Sequence, residues 1–351
     1  MNKRFLFSCL LIGSIAANLC GQDKPRVYIL ATGGTIAGIG ASETSSGYIA
    51  GVVSVDKIIQ SAPEILQLAQ IKGEQVVNIP SQDMSEADWL IIAKRVNQLL
   101  SQADVTGIVI THGTDTMEET AFFLNLVVKS DKPVVLAGAM RPSTEISADG
   151  PMNVYEAVAV AASPLSIGKG VMIVMDDKIL SADDAMKTMT TALETFKCPN
   201  FGFLGYLWDS KPIFTRNSLV KHTIHSEFDV ADVDILPKVA IVYGYAGIDS
   251  LFVATAVRKG VNGIVYAGVG NGNPNTANLN ALADAVKHGI PVVRSARTPF
   301  GPTTQHDEVD DDKYRFSASW FKTPEKSRIL LMLALMKTKD YKEIQRMFVE
   351  Y

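Results

Sequence analysis

The chain has 351 residues, more than one hydrophobic core usually serves, so two domains are expected. Apolar residues at 47% exclude a disordered chain, and a net charge of −4 with no basic stripe among aromatics excludes a nucleic-acid partner. Of the three cysteines, Cys9, Cys20 and Cys198, removal of a leader leaves Cys198 alone, which excludes an internal disulfide.

Residues 1–21 read as a secretory signal peptide. Lys3 and Arg4 precede an apolar run over residues 5–12, and small residues follow at Gly13, Ser14, Ala16 and Ala17. The run is too short to span a bilayer, which predicts a periplasmic mature protein with no membrane association. A lipid anchor at Cys20 is the alternative, although Asn18 and Leu19 are unusual neighbours for one.

Residues 27–31 are strand-like and end in Thr32-Gly33-Gly34-Thr35. Residues 74–79 form a second strand ending at Pro80-Ser81-Gln82-Asp83, and residues 85–100 have helical spacing with Ser85 and Asp88 placed to cap them. Residues 107–111 form a third strand, followed by His112-Gly113-Thr114-Asp115-Thr116 and a helical stretch over 117–128. Further strands at 133–137 and 171–175 flank a helix near 153–162. This alternation predicts an α/β fold: a larger N-terminal domain over residues 22–214, with a parallel sheet and helices on both faces.

Residues 208–236 are more polar and less periodic, and read as an irregular hairpin leading into a linker at 215–237. Alternation then resumes, with strands at 239–243, 263–267 and 291–294 and helices at 249–259, 278–288 and 325–336. A smaller C-terminal α/β domain is therefore expected over 238–351.

Ligands of open parallel sheets bind beyond the carboxyl ends of the strands. Two strands here end in small, hydroxyl-rich turns, at Gly33-Gly34-Thr35 and Gly113-Thr114-Asp115. Glycine lets the backbone approach a ligand, and a helix opening after such a turn leaves N–H groups for a carboxylate or an oxyanion. The first turn lacks both the Gly-Lys-Ser/Thr ending of a phosphate loop and the spacing of a dinucleotide fingerprint. His222 and His225 have no carboxylate or cysteine in ligand spacing, so no metal and no cofactor are expected. No Gly-X-Ser-X-Gly elbow is present, and His112 reads as a structural member of its loop.

A hydroxyl nucleophile remains. Thr35 is weak at neutral pH and needs a base or relay, for which Tyr48, Asp115 and Lys187 are the candidates. Plainer readings stand beside these: Lys187 as a solvated charge, Thr114 and Asp115 as caps of the following helix, Thr35 as a small turn residue.

These residues carry a resemblance. Ile29-Leu30-Ala31-Thr32-Gly33-Gly34-Thr35-Ile36-Ala37-Gly38 resembles the first motif of the bacterial type II (periplasmic) L-asparaginases and glutaminase-asparaginases, and Ile110-Thr111-His112-Gly113-Thr114-Asp115-Thr116-Met117-Glu118-Glu119-Thr120 their second. The segment from Gly73 to Met84 is similar to the one that binds the substrate's α-groups. Gly138-Ala139-Met140-Arg141-Pro142, Ser147-Ala148-Asp149-Gly150-Pro151, Gly268-Val269-Gly270-Asn271-Gly272-Asn273 and Glu308-Val309-Asp310-Asp311 also match, in the family's order, so the resemblance spans residues 26–351.

The resemblance implies a homotetramer, built as a dimer of dimers, whose active sites lie between the large domain of one subunit and the small domain of its partner. It makes Thr35 the nucleophile, assisted by Tyr48 from a mobile loop, and makes Thr114, Asp115 and Lys187 a second hydroxyl-carboxylate-amine set. Ser81, Gln82, Thr114 and Asp115 would bind the small-molecule substrate L-asparagine, with Asn273 and Glu308 reaching in from the neighbour. The implied reaction is hydrolysis to L-aspartate and ammonia through a threonine acyl-enzyme, with weaker activity on L-glutamine. Asparagine and glutamine differ by one methylene, which a pocket separates by only ~1–3 kcal/mol. Ala50 and Val52 depart from the family pattern in the mobile loop, which puts lid behaviour in doubt. A glutaminase-asparaginase of balanced specificity is one alternative. The other is a non-catalytic periplasmic amino-acid-binding protein, which would need no nucleophile.

Overall fold

In the computed structural model, residues 24–40, 42, 48–49, 51 and 54–351 are described, the side chains of residues 39, 40, 48 and 49 excepted. The leader reading at 1–21, the Cys20 alternative and the departures at Ala50 and Val52 lie outside the described residues.

The chain begins with β1 (Arg26–Gly33), the short pair β2 (Ile39–Gly40) and β3 (Tyr48–Ile49), α1 (Val55–Ser61), α2 (Ile65–Leu68) and β4 (Gln70–Ile79). There follow α3 (Glu86–Leu100), β5 (Gly107–Thr111), α4 (Met117–Val127), β6 (Val134–Ala137), α5 (Gly150–Ala162), β7 (Val171–Met175) and β8 (Lys178–Ser181). A small pair, β9 (Met186–Lys187) and β10 (Phe196–Lys197), precedes the hairpin β11 (Gly205–Trp208) and β12 (Lys211–Phe214). The second half carries β13 (Val239–Tyr243), α6 (Leu251–Arg258), β14 (Gly263–Gly268), α7 (Thr276–Lys287), β15 (Val292–Ala296), α8 (Asp311–Tyr314), β16 (Phe316–Ala318), α9 (Pro324–Leu335) and α10 (Tyr341–Glu350).

The larger sheet runs β12-β11-β8-β7-β6-β5-β1-β4. It is parallel from β7 to β4 and antiparallel beyond β7, where the sequence alone suggests parallel strands throughout. The reason is local. Asp176 and Asp177 connect β7 to β8 with φ of 54° and 59°, a two-residue hairpin turn too short for a parallel crossover. The smaller sheet, β13-β14-β15-β16, is wholly parallel.

Alternation along β1 explains how the large sheet is covered. Val27, Ile29 and Ala31 face a buried cluster with Ile58, Ile65, Val154 and Val158 of α1, α2 and α5. Leu30 faces the opposite cluster, with Leu90 and Ile92 of α3 and Phe122 and Phe123 of α4. Helix α3 opens with the capping box expected of Ser85 and Asp88.

Helix α9 is buried on every side through Ile329, Leu330, Leu331, Met332 and Leu333, which join the α3–α4 cluster. It packs on β13, β14 and α4, so one apolar core continues from the first sheet to the second. The other face of the smaller sheet is covered through Val253 of α6 and Leu282 of α7. Helices α1, α2 and α10 and strands β9, β10 and β16 were not expected from sequence; α10 carries a clear apolar face through Ile344, Met347 and Phe348 and is capped by Asp340, which accepts from the amides of Lys342 and Glu343.

Candidate active site

Strand β1 has β4 on one side and β5 on the other. The chain therefore leaves β1 in one direction and returns in the other, and a crevice opens at the carboxyl ends of β1 and β5. Thr35 and the 112–116 turn sit at that crevice. Thr32 Oγ1 donates to Thr111 O at 2.9 Å and ties the two strand ends together.

The turn after β1 requires its glycines. Gly33 and Gly34 have φ of 104° and 80°, which side chains rarely adopt, and a Cβ on Gly33 would lie 2.4 Å from Ile79 O. Thr35 is buried and opens a single helical turn over Thr35–Ala37. That turn is closed by the Gly38 amide donating to Thr35 O at 2.7 Å, and Ser143 Oγ secures Gly38 O at 2.7 Å.

The second turn is anchored from beneath. Trp89 Nε1 donates to Thr120 Oγ1 at 2.9 Å. The Thr120 hydroxyl, its oxygen so occupied, directs its proton to His112 Nε2 at 2.9 Å, leaving His112 Nδ1–H to donate to Gly113 O at 2.7 Å. Full burial pushes the His112 imidazole down to about 4, so this chain carries a neutral ring. His112 is structural, as its sequence context suggests.

Ser81 and Asp115 meet on this turn: the Asp115 amide donates to Ser81 Oγ at 3.2 Å and Thr116 Oγ1 to Ser81 O at 2.7 Å. Gln82 is exposed beside Ser81. Lys187 Nζ donates to Thr114 Oγ1 at 2.9 Å and pairs with Asp115 Oδ1 at 2.6 Å. The Lys187 side chain is only 16% exposed, so it is not a solvated charge. Nor do Thr114 and Asp115 cap the next helix; Thr116 stands before α4, and no side-chain cap is formed there. Both correct the plain sequence readings. The Thr114 hydroxyl is buried and turned to an amine, and the Asp115 side chain stays 56% exposed.

Tyr48 lies in β3, where its main chain pairs with Gly40; its side chain lies outside the described residues. Asn273 and Glu308 stand on loops of the second sheet and take no part in the hydrogen bonds joining Ser81, Asp115 and Lys187. Those loops are built around a residue pair that the sequence reading misses. Arg294 places Nε and Nη2 on the two carboxylate oxygens of Asp311, at 2.6 and 2.7 Å, with both side chains buried. Its remaining donors reach Asn271 O and Thr304 O, each at 2.9 Å, and Asn271 Oδ1 accepts from the Thr304 amide. The 270–273 and 303–308 loops thus form one unit. Asn273 Oδ1 is buried in it with no hydrogen-bond partner among the described residues. An arginine buried in the strand Val292–Ala296 is the signal that could have revealed this.

Among the described residues no group of three or more His, Cys, Asp or Glu has a metal-holding arrangement, and no helix is long and apolar enough to cross a membrane. Cys198 is buried, and burial pushes its thiol up to about 12, which makes it inert as a nucleophile.

Known proteins resemble this chain over most of its length. Residues 26–220 match the family model described as "Asparaginase, N-terminal", and residues 238–348 the one described as "Glutaminase/Asparaginase C-terminal domain". The "Probable L-asparaginase periplasmic" of Haemophilus influenzae is 51% identical over 98% of both chains. The "L-asparaginase 2" of Escherichia coli is 50% identical over 99% of both. The crystal structure of "Probable Cytoplasmic L-asparaginase from Campylobacter jejuni" superposes with a TM-score of 0.91 at 46% identity, covering 93% of this chain and 100% of that one. With both family models matched in order and near half the residues shared over almost the whole length, the chain belongs to the asparaginase family of amidohydrolases.

Proposed function

We propose that this protein hydrolyses L-asparagine to L-aspartate and ammonia, with weaker activity on L-glutamine. The observation that carries the reading is the contact of Lys187 Nζ with both Thr114 Oγ1 and Asp115 Oδ1, in the crevice that the Thr35 turn enters. A pure binder needs no amine held on a buried hydroxyl. Thr35 Oγ attacks the side-chain carbonyl carbon; the C–N bond breaks and ammonia departs with the hydroxyl proton, leaving an aspartyl ester on Thr35. Water then attacks that ester, which releases aspartate and restores the hydroxyl. Thr114, Lys187 and Asp115 handle protons at this centre, with Tyr48 assisting Thr35. In this reading the Thr114 backbone N–H donates to the developing oxyanion.

The zwitterionic end of the substrate needs an anion site and a cation site. Ser81, Gln82 and neighbouring amides serve the first, Asp115 and Glu308 the second. Asn273 Oδ1, without a hydrogen-bond partner among the described residues, supports a role for its loop in completing a site on a neighbouring subunit, in a homotetramer built as a dimer of dimers. In this reading residues 22–214 carry the nucleophile, 215–237 link, and 238–351 serve the partner's site. The periplasmic placement rests on the leader at 1–21, and the compartment in the Haemophilus relative's name supports it.

Parallel kinetics on asparagine and glutamine without added metal test the reading. Ammonia release is expected from both, faster from asparagine, and its absence at high enzyme concentration rejects the enzyme. Thr35→Ala is expected to abolish turnover with the fold intact; a near-normal rate moves the nucleophile to Thr114. A fully active monomer in sedimentation refutes the shared site.

A further inference from the structure

Lys187 acts at the tip of a segment with little secondary structure of its own. Strand β9 is two residues long, and its sheet contains only β10. A lysine side chain has four rotatable bonds, and holding its amine on Thr114 requires that its main chain be fixed as well.

Two side chains supply that restraint. The Glu118 carboxylate accepts the Lys187 main-chain N–H. Glu118 lies one helical turn beyond Thr114, at the start of α4, so the helix whose entry the Lys187 amine touches also holds the Lys187 backbone. The second comes from the other domain. Lys326 of α9, 2% exposed, donates from Nζ to Asp183 O at 3.0 Å and Ala185 O at 2.8 Å, and lies over the Phe122 ring at 5.8 Å. An amine so deeply buried is tolerated because the Asp183 and Ala185 carbonyls accept from it and the Glu118 carboxylate is near enough to act on it electrostatically.

We propose that Glu118 and Lys326 are positioning residues for Lys187: Glu118 fixes its main chain, Lys326 fixes the turn before it, and together they set the amine on Thr114 and Asp115. This rests on the amidohydrolase reading. Glu118 is also the point where solution pH enters. It faces Lys326 and Glu325 of α9 and the Lys187 amine and amide of β9. Burial raises its carboxyl to about 6, against the opposing pull of Lys326 and the Lys187 N–H. Protonation below that value removes the charge that holds the Lys187 backbone.

The test compares Glu118→Gln, Glu118→Ala and Lys326→Met in the full chain. The Gln amide oxygen still accepts from Lys187 N–H but does not titrate. The wild type is expected to lose kcat on the acid side of about 6, and Glu118→Gln, which is neutral at every pH, to hold the lower acid-side kcat throughout and show no such limb. Glu118→Ala and Lys326→Met are expected to lower kcat on the order of 10- to 100-fold with KM little changed. Amide exchange of the 183–190 peptide, read without substrate, is expected to quicken about tenfold or more in the alanine variant and by less in Glu118→Gln, which keeps an acceptor. An acid limb unmoved in Glu118→Gln overturns the proposal, whatever becomes of the alanine variant's fold. So does unchanged exchange in a folded Glu118→Ala. A wild type that releases no ammonia rejects the amidohydrolase reading instead, and leaves the exchange experiment to decide the clamp.

Discussion

Gly34 and Gly113 approach each other so closely that a Cβ on Gly34 would lie 2.3 Å from the Gly113 amide nitrogen. The two turns that carry Thr35 and Thr114 are therefore brought together by backbone touching backbone, with no side chain between them. Gly34 also has φ of 80° and ψ of −171°, a region nearly reserved for glycine. Gly34→Ala is expected to cost roughly 1–3 kcal/mol from conformation alone, before the clash is counted. Relief of the clash must spread the turns, so kcat/KM should fall about 100-fold or more. Ammonia-release kinetics together with a melting curve check this. A variant with wild-type rate and melting temperature would mean that the two turns need not touch.

The pair at Arg294 and Asp311 makes a different kind of prediction. Both side chains are essentially without exposure, so removing one partner strands a buried charge. Arg294→Met is expected to lower the unfolding free energy by roughly 3–5 kcal/mol. Combining it with Asp311→Leu removes the stranded carboxylate and should recover part of that loss, while the carbonyls of Asn271 and Thr304 stay without their donor. Denaturant unfolding of the two single variants and the double variant measures the coupling. Additive losses would show that the ion pair is not the organising contact of these loops.

Much of this molecule was legible in its sequence, and what was not has identifiable causes. The buried strands β1 and β5 announce themselves as apolar runs closed by glycine turns, and α3 by its capping box. The turn beyond Met175 was invisible as a hairpin, because two aspartates in left-handed conformation look like any polar loop. The site divides in the same way. Thr35, Ser81, Thr114 and Asp115 follow directly on strands, so a local pattern locates them. Lys187 stands 72 residues from Asp115, and only the tertiary fold makes their contact. Glu118 was visible inside a quoted motif but unremarkable there, since its partner is a main-chain amide, which leaves no mark on the sequence.

Buried acids give this fold a pH dependence whose sign can be worked out. Glu156 on α5 is buried beside Asp177, and its Oε2 has no hydrogen-bond partner among the described residues. Burial first, then the neighbouring Asp177 and Asp176 carboxylates, raises its carboxyl from 4.5 to about 8. The folded state thus keeps a proton that the unfolded chain gives up above 4.5. The stability it contributes is fully present below 4.5 and is lost as pH rises through about 8. Glu118 and Glu119, raised to about 6 and about 7, act in the same direction over narrower windows. His112 acts in the opposite direction: its imidazole is lowered from 6.5 to about 4, so its contribution is present above 6.5 and lost as pH falls towards 4. Glu156→Gln keeps a neutral polar group beside Asp177 that cannot ionise. It should raise the melting temperature near pH ~8, where the wild type must either hold the proton or bury a charge, and leave it unchanged near pH ~4.5, where both proteins are neutral at this position. Melting curves across that range decide the matter: a gain of equal size at both ends would assign the effect to packing, and no gain at the alkaline end would mean that Glu156 is solvated and ionised in the folded protein.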